Sequence, residues 1–190
     1  METKLAPGFL AASPQIEDPF FKKSLIFLLE HNDDDGAFGL VVNKTASISI
    51  EDIANELSIP FNISKDTFDL QKVLIGGPVL PEAGWVIHSP EKIYAQSKIF
   101  NNIAVTASKE ILEDIFNDKG PSEYIFCLGY AGWGQGQLVE EIKNGSWLHI
   151  PFDENIIFNT PLKERWHEGI SKLGINPAYL SSGIKPAAAN

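Results

Sequence analysis

Apolar positions along the chain fall into two periods. Gly8 to Ala12 reads as a short strand ending at Pro14, and Ser24 to Glu30 is a continuous apolar run, the pattern of a strand covered on both faces. Phe38 to Val42 resumes an apolar run. The segment His31-Asn32-Asp33-Asp34-Asp35-Gly36 lies between the last two and carries an Asp-Gly turn signal, so a hairpin with a polar tip is predicted. Ile50, Ile53, Ala54 and Leu57 recur at helical spacing behind Ser49, with Asp52 three residues after it. That is a capped amphipathic helix. Residues 60–71 read as a loop that Phe61, Ile63 and Phe68 pack down.

Val73 to Ile75, Trp85 to His88, Lys92 to Ile99 and residues 124–130 read as strands. Ile111, Leu112, Ile115 and Phe116 stripe a second helix, which Gly120-Pro121 ends. Leu138, Val139 and Ile142 line a third, closed by Asn144-Gly145. Trp147 to Phe152 and Ile156 to Phe158 follow as strands. Thr160-Pro161 suits the cap and first position of a last helix, with Leu162, Trp166, Ile170 and Leu173 facing inward and Gly174 as its stop. The strands cluster with hairpin-length links and the helices are few. This predicts one α+β domain over residues 1–180, mainly antiparallel, with 181–190 a mobile tail.

With 44% hydrophobic residues in 190, the chain can bury a sizeable core. Its formal charge of −10 repels phosphate backbones, and Lys22-Lys23 is its sole adjacent basic pair. Direct nucleic-acid binding is therefore not expected. The single cysteine, Cys127, excludes an internal disulfide and sits in a strand-like run. No apolar run is long enough to span a bilayer, so no membrane role is expected. Pro7 and Gly8 interrupt an N-terminal stretch that lacks a basic region, which points to the cytoplasm.

The densest chemical signal is Leu128-Gly129-Tyr130-Ala131-Gly132-Trp133-Gly134-Gln135-Gly136-Gln137-Leu138, read as a junction between a strand and a helix. Gly129 and Gly134 have P-loop spacing, but Gln135 and Gly136 stand where lysine and a hydroxyl are needed. Gly132-x-Gly134-x-Gly136 also lacks half of the dinucleotide fingerprint. Glu140 and Glu141 in the following helix would compete with a bound anion. Of this pair, Glu140 is placed towards the junction and Glu141 towards solvent. The favoured reading of the junction is Tyr130 and Trp133 packed over bare backbone.

His31 with Asp33, Asp35 and Gly36 partly mimics a calcium loop, but His31 and Val42 occupy positions that need oxygen ligands. His31 and His88 each end a strand and could converge on one rim, with Ser89 beside His88. Hydrogen-bonded structural histidines are the favoured reading, because no G-x-S-x-G or H-E-x-x-H pattern accompanies them.

Several blocks carry a family resemblance. They are Gly8-Phe9-Leu10-Ala11, Asp18-Pro19-Phe20-Phe21, His31, Gly36 to Asn43, Gly76-Gly77-Pro78-Val79, Trp85 to His88, Thr106-Ala107-Ser108, Gly120-Pro121, and the run from Leu128 to Leu138 with Glu140-Glu141-Ile142 behind it. In this order the chain resembles the bacterial UPF0301, or DUF179, family, also called the AlgH/YqgE family. It departs in Asn43-Lys44-Thr45, where the family usually continues the asparagine with a basic residue and proline and the proline is missing here. The resemblance implies an α+β fold of coiled, branching sheet on a few core helices, and no known cofactor. Members carry a transcriptional-regulator label that rests on genetic effects on exopolysaccharide production.

The expected recognition site gathers His31, Asn43, Gly76, Gly77, His88, Gly129, Tyr130, Gly132, Trp133, Gly134, Gln137 and Glu140, with no catalytic set, metal or cofactor. The leading expectation is a non-enzymatic regulatory protein acting through protein partners. The alternative is a small-molecule binder or hydrolase with its site around His31, Asn43, His88 and the glycine-rich junction. A nucleic-acid regulator would require Lys22, Lys23 and Lys44 on one face.

Overall fold

The structure, a computed structural model, describes residues 4–32, 34–60 and 73–181. The predicted loop of 60–71 and the tail after Ser181 lie almost wholly outside these residues. The class is α+β, with mainly antiparallel strands and a few short helices. Two compact units arise: residues 1–43 with 131–190, and residues 44–130.

In the first unit, β1 (Gly8–Ala12) pairs with β2 (Leu25–Asn32) on one side and β9 (Trp147–Pro151) on the other. β3 (Gly36–Val41) pairs with β2 and with the end of β8 (Tyr124–Trp133), all antiparallel. Every residue of β1 is buried, because both faces are covered. Leu10, Ile26, Leu28, Ala131, Trp133 and Trp147 form one core with Leu138 of α3 (Gln137–Lys143). On the opposite face Phe9, Phe27 and Phe152 stack with centroids 5.3–6.0 Å apart. There Gly169 of α5 (Arg165–Ser171) lies against Leu25 and Ile150, and the Trp166 indole donates to the Ala12 carbonyl at 3.0 Å.

In the second unit the order is β6 (Lys98–Phe100), β7 (Ile103–Thr106), β5 (Val79–His88), then the first part of β8. β4 (Leu74–Ile75) pairs parallel with β8. α1 (Ile50–Glu56) begins at the expected capping box: Ser49 Oγ accepts from Asp52 N at 3.1 Å and the Asp52 carboxylate accepts from Ser49 N at 2.9 Å. Ile53 and Ala54 of α1, with Ile111, Ile115 and Phe116 of α2 (Lys109–Phe116), pack on Val86 and Phe126 of the strands.

Four local expectations are corrected. Lys92 to Ile99 is mostly a turn, since Ser97 Oγ accepts from Tyr94 N and Ser97 N bonds back to the Tyr94 carbonyl; the strands are β6 and β7. Ile156 to Phe158 belongs to a helical turn, α4 (Asn155–Phe158), started by Asp153 Oδ1 accepting from Asn155 N. Its adjacent Ile156 and Ile157 are both buried, which a half-exposed strand does not allow. The final helix begins at Arg165, after a 3₁₀ turn over Leu162–Glu164, and α6 (Pro177–Ser181) follows it. Finally, the glycine-rich stretch is strand as far as Trp133, so only Gly134 to Gly136 is the true junction.

Candidate functional site

Residues 131–147 fold as the end of β8, a tight turn, α3, and the start of β9. The turn sets the phase of α3 so that Gln137 and Glu141, one helical turn apart, share a face. Glu141 Oε2 accepts the indole N–H of Trp133 at 2.9 Å and that of Trp147 at 2.8 Å. Its Oε1 accepts from Gln137 Nε2 at 2.8 Å, and Gln137 Oε1 in turn accepts from Gly134 N at 2.9 Å. One carboxylate thus ties both tryptophans to the helix and, through Gln137, to the turn.

The Trp133 and Trp147 rings meet edge to face at 5.8 Å, and Phe21 stands edge to face on Trp147 at 5.7 Å. Phe21 is held there by its own turn, in which Asp18 Oδ1 accepts from Phe20 N and Phe21 N at 2.8 and 3.0 Å. These three rings, with Gln137, Glu141 and Ser146, line a cavity of about 300 Å³. Trp133 is 6% exposed and Trp147 4%, so each shows only a rim to solvent.

The β2–β3 hairpin adds charge next to this cavity. A Cβ at Gly36, where φ is +97°, would overlap the Trp133 carbonyl oxygen, so the hairpin backbone lies directly on the end of β8. Asp34 and Asp35 on the hairpin and Glu140 on α3 are all exposed.

Glu140 is therefore not the residue that meets the junction; Glu141 is. The sequence signal for it is the Gln137-to-Glu141 spacing, which puts the two on one helix face. Trp147 and Phe21 also belong to the site and escape a sequence reading, since their approach depends on strand pairing and a distant turn.

Of the expected site residues, Gly132, Trp133, Gly134 and Gln137 come together at this cavity or its turn. His31 shares a cross-strand row with Ala37 and Trp133, half-buried, but does not line the cavity. Asn43 is structural, clamping two backbone groups: its Oδ1 accepts from Leu25 N and its Nδ2 donates to the Lys23 carbonyl, both at 2.8 Å.

In the second unit Gly76, Gly77 and Gly129 form a close backbone crossing. Gly76 N donates to the Leu128 carbonyl at 2.7 Å, and Gly129, at φ +70°, leaves no room for a Cβ beside the Gly77 carbonyl. Tyr130 meets Trp85 edge to face at 6.3 Å. His88 is fully buried. Its Nδ1 donates to the Ser89 carbonyl and its Nε2 accepts from Thr106 Oγ1, both at 2.8 Å, and Thr106 bonds to Ser97 Oγ at 2.6 Å. Burial holds the imidazole below its ordinary pKa, against the opposing pull of the Ser89 carbonyl and Glu91. The Ser89 hydroxyl turns away to Glu91 and the Glu123 backbone, so it makes no dyad with His88. Among the described residues no group of three or more His, Cys, Asp or Glu side chains is arranged to hold a metal, and no helix is long and apolar enough to cross a membrane.

A family profile described as AlgH-like (DUF179) matches residues 9–178. The chain belongs to the AlgH-like family. Among AlgH-like relatives, a UPF0301 protein of Vibrio cholerae is 44% identical over 181 residues, covering 94% of this chain and 96% of its own. The UPF0301 protein YqgE of Escherichia coli is 39% identical over 171 residues, covering 88% and 91%. The solution structure of the AlgH protein from Pseudomonas aeruginosa superposes with a TM-score of 0.78 at 31% identity, covering 100% of this chain and 98% of that one. These likenesses establish family and fold.

Proposed function

We propose that this protein is a non-enzymatic recognition protein of the cytoplasm, whose aromatic cavity in the first unit captures a lysine or arginine side chain of a partner protein. The observation that carries this reading is the Glu141 carboxylate joined to both indoles at the cavity wall. A carboxylate has about four lone-pair sites. Three donors already reach Glu141, which leaves an acceptor for a cation entering the cavity. The aromatic walls lie along the alkyl stem of such a side chain and keep bulk water from the carboxylate, which strengthens its pull on the cation. The exposed acids of the hairpin and α3, and a net charge of −10, steer basic partners inward and phosphate away. Regulation, on this reading, runs through protein contacts and not through DNA.

The test uses short labelled peptides of glycine and lysine, followed by fluorescence anisotropy. The native chain should bind the lysine peptide and ignore its acetylated counterpart. Glu141→Gln should weaken the lysine peptide by about tenfold, the loss of roughly one charge-assisted bond. Equal binding of both peptides, or by both proteins, would rule the reading out.

A further inference from the structure

The second unit holds a separate cavity of about 410 Å³, within the size range of small-molecule sites. Ile53 and Leu57 line it, with Trp85 and Val86 from β5, Leu112 from α2 and Phe126 from β8. The walls are thus largely hydrocarbon and aromatic. Its lining also includes Thr106, Ala107, Ser108 and Lys109, the approach to α2 and its first residue.

Ser108 is the informative group. It holds the cap position of α2 yet makes no side-chain cap bond, unlike Ser49 at α1. Its Oγ is buried and finds no hydrogen-bond partner among the described residues. An unmatched buried hydroxyl costs about 1–3 kcal/mol, so such a group calls for an explanation. Beside it the first N–H groups of α2 receive nothing from that hydroxyl, and helix starts attract acceptors and negative charge. Lys109 is the one cation of the lining; its ammonium is 3.6 Å from Glu113 and well exposed. The acids that oppose an anion here, Glu56 and Glu82 in the lining and Glu110 in the first turn of α2, are all exposed, where solvent weakens that opposition. Thr106 is already committed to His88 and Ser97.

We propose that this cavity binds a small monocarboxylic acid with an apolar body, the carboxylate received by the start of α2 and by the Ser108 hydroxyl, which turns about its Cα–Cβ bond to meet it. The body lies against Trp85, Leu112 and Phe126. This site is independent of the basic-side-chain cavity in the first unit.

Octanoate, octanol and octylamine, one chain length with three heads, are the probes, titrated into the full chain by calorimetry and by amide NMR. Octanoate should bind saturably, at least about tenfold tighter than octylamine, the worth of one charge-assisted bond. Shifts should centre on residues 106–112 and Cys127. Ser108→Ala should weaken octanoate about fivefold while raising the urea midpoint of the unliganded protein, because no cap bond is lost and an unmatched buried hydroxyl is removed. Leu112→Trp, which fills the space, should remove binding. The proposal is overturned if octanoate does not saturate, if octylamine binds as tightly, if Ser108→Ala binds like the native chain, or if the shifts fall elsewhere.

Discussion

Replacing Glu141 with alanine removes the acceptor of three side-chain hydrogen bonds at once. Gln137 is exposed, and its amide can turn to water. The Trp133 and Trp147 indoles cannot, because they are 6% and 4% exposed. Each orphaned indole N–H carries a desolvation cost of about 1–3 kcal/mol. The expected loss is therefore about 2–6 kcal/mol, reduced where water enters the 300 Å³ cavity and bonds one of them. Glutamine at the same position should cost less, about 1–2 kcal/mol. Its carbonyl can still take both indoles, but its amide then faces the Gln137 amide, donor against donor. If Gln137 turns over to relieve this, it loses the bond from Gly134 N. One bond disappears either way. Urea unfolding followed by tryptophan fluorescence measures these costs. Trp147→Phe in the Glu141→Ala background removes one orphan, so the double mutant should lose less than the sum of the singles by about 0.5–3 kcal/mol. Additivity within about 0.3 kcal/mol, or a Glu141→Ala protein as stable as the native one, would refute the shared-carboxylate reasoning.

Three further outcomes follow from the same geometry. The folded protein holds His88 below its ordinary pKa of 6.5, so beneath that pH the unfolded chain takes up a proton that the fold resists; stability should fall with falling pH, by at most about 1.4 kcal/mol per unit, until the folded pKa is passed. Urea midpoints at pH 7.5 and 5.5 should differ in this sense for the native chain and much less for His88→Gln. Gly36→Ala should cost more than about 2 kcal/mol in thermal unfolding, since the residue sits at φ +97° and the new Cβ would meet the Trp133 carbonyl. Ser49→Ala should cost about 1 kcal/mol of urea stability, because that serine closes a two-way capping box.

Features encoded in local chemistry are legible in the sequence. The Ser49–Asp52 box, the stripe of α2 and the apolar runs of β1 to β3 each depend on neighbours within a few residues. Lys92 to Ile99 and Ile156 to Phe158 mislead because short apolar stretches suit strand and turn alike until a hydrogen bond decides. For Ile156 that bond comes from Asp153, and for Tyr94 from Ser97. The choice between Glu140 and Glu141 hinges on where α3 starts, since a one-residue shift turns a helix side chain by about 100°. Trp147 reaches the site through its pairing with Ala12, which no spacing near Trp133 reveals. Arg165 carries no sequence signal beyond its place in a helical stretch. Yet it is buried and donates to the carbonyls of Val42, Ile157 and Thr160, a non-local role with no pattern in sequence.

The most direct measurement is a titration of the glycine–lysine peptide followed through the four indole N–H resonances of the protein. Those of Trp133 and Trp147 should move together and saturate, while those of Trp85 and Trp166 stay in place. Four unmoved resonances, or movement at Trp85 or Trp166 alone, would contradict the account.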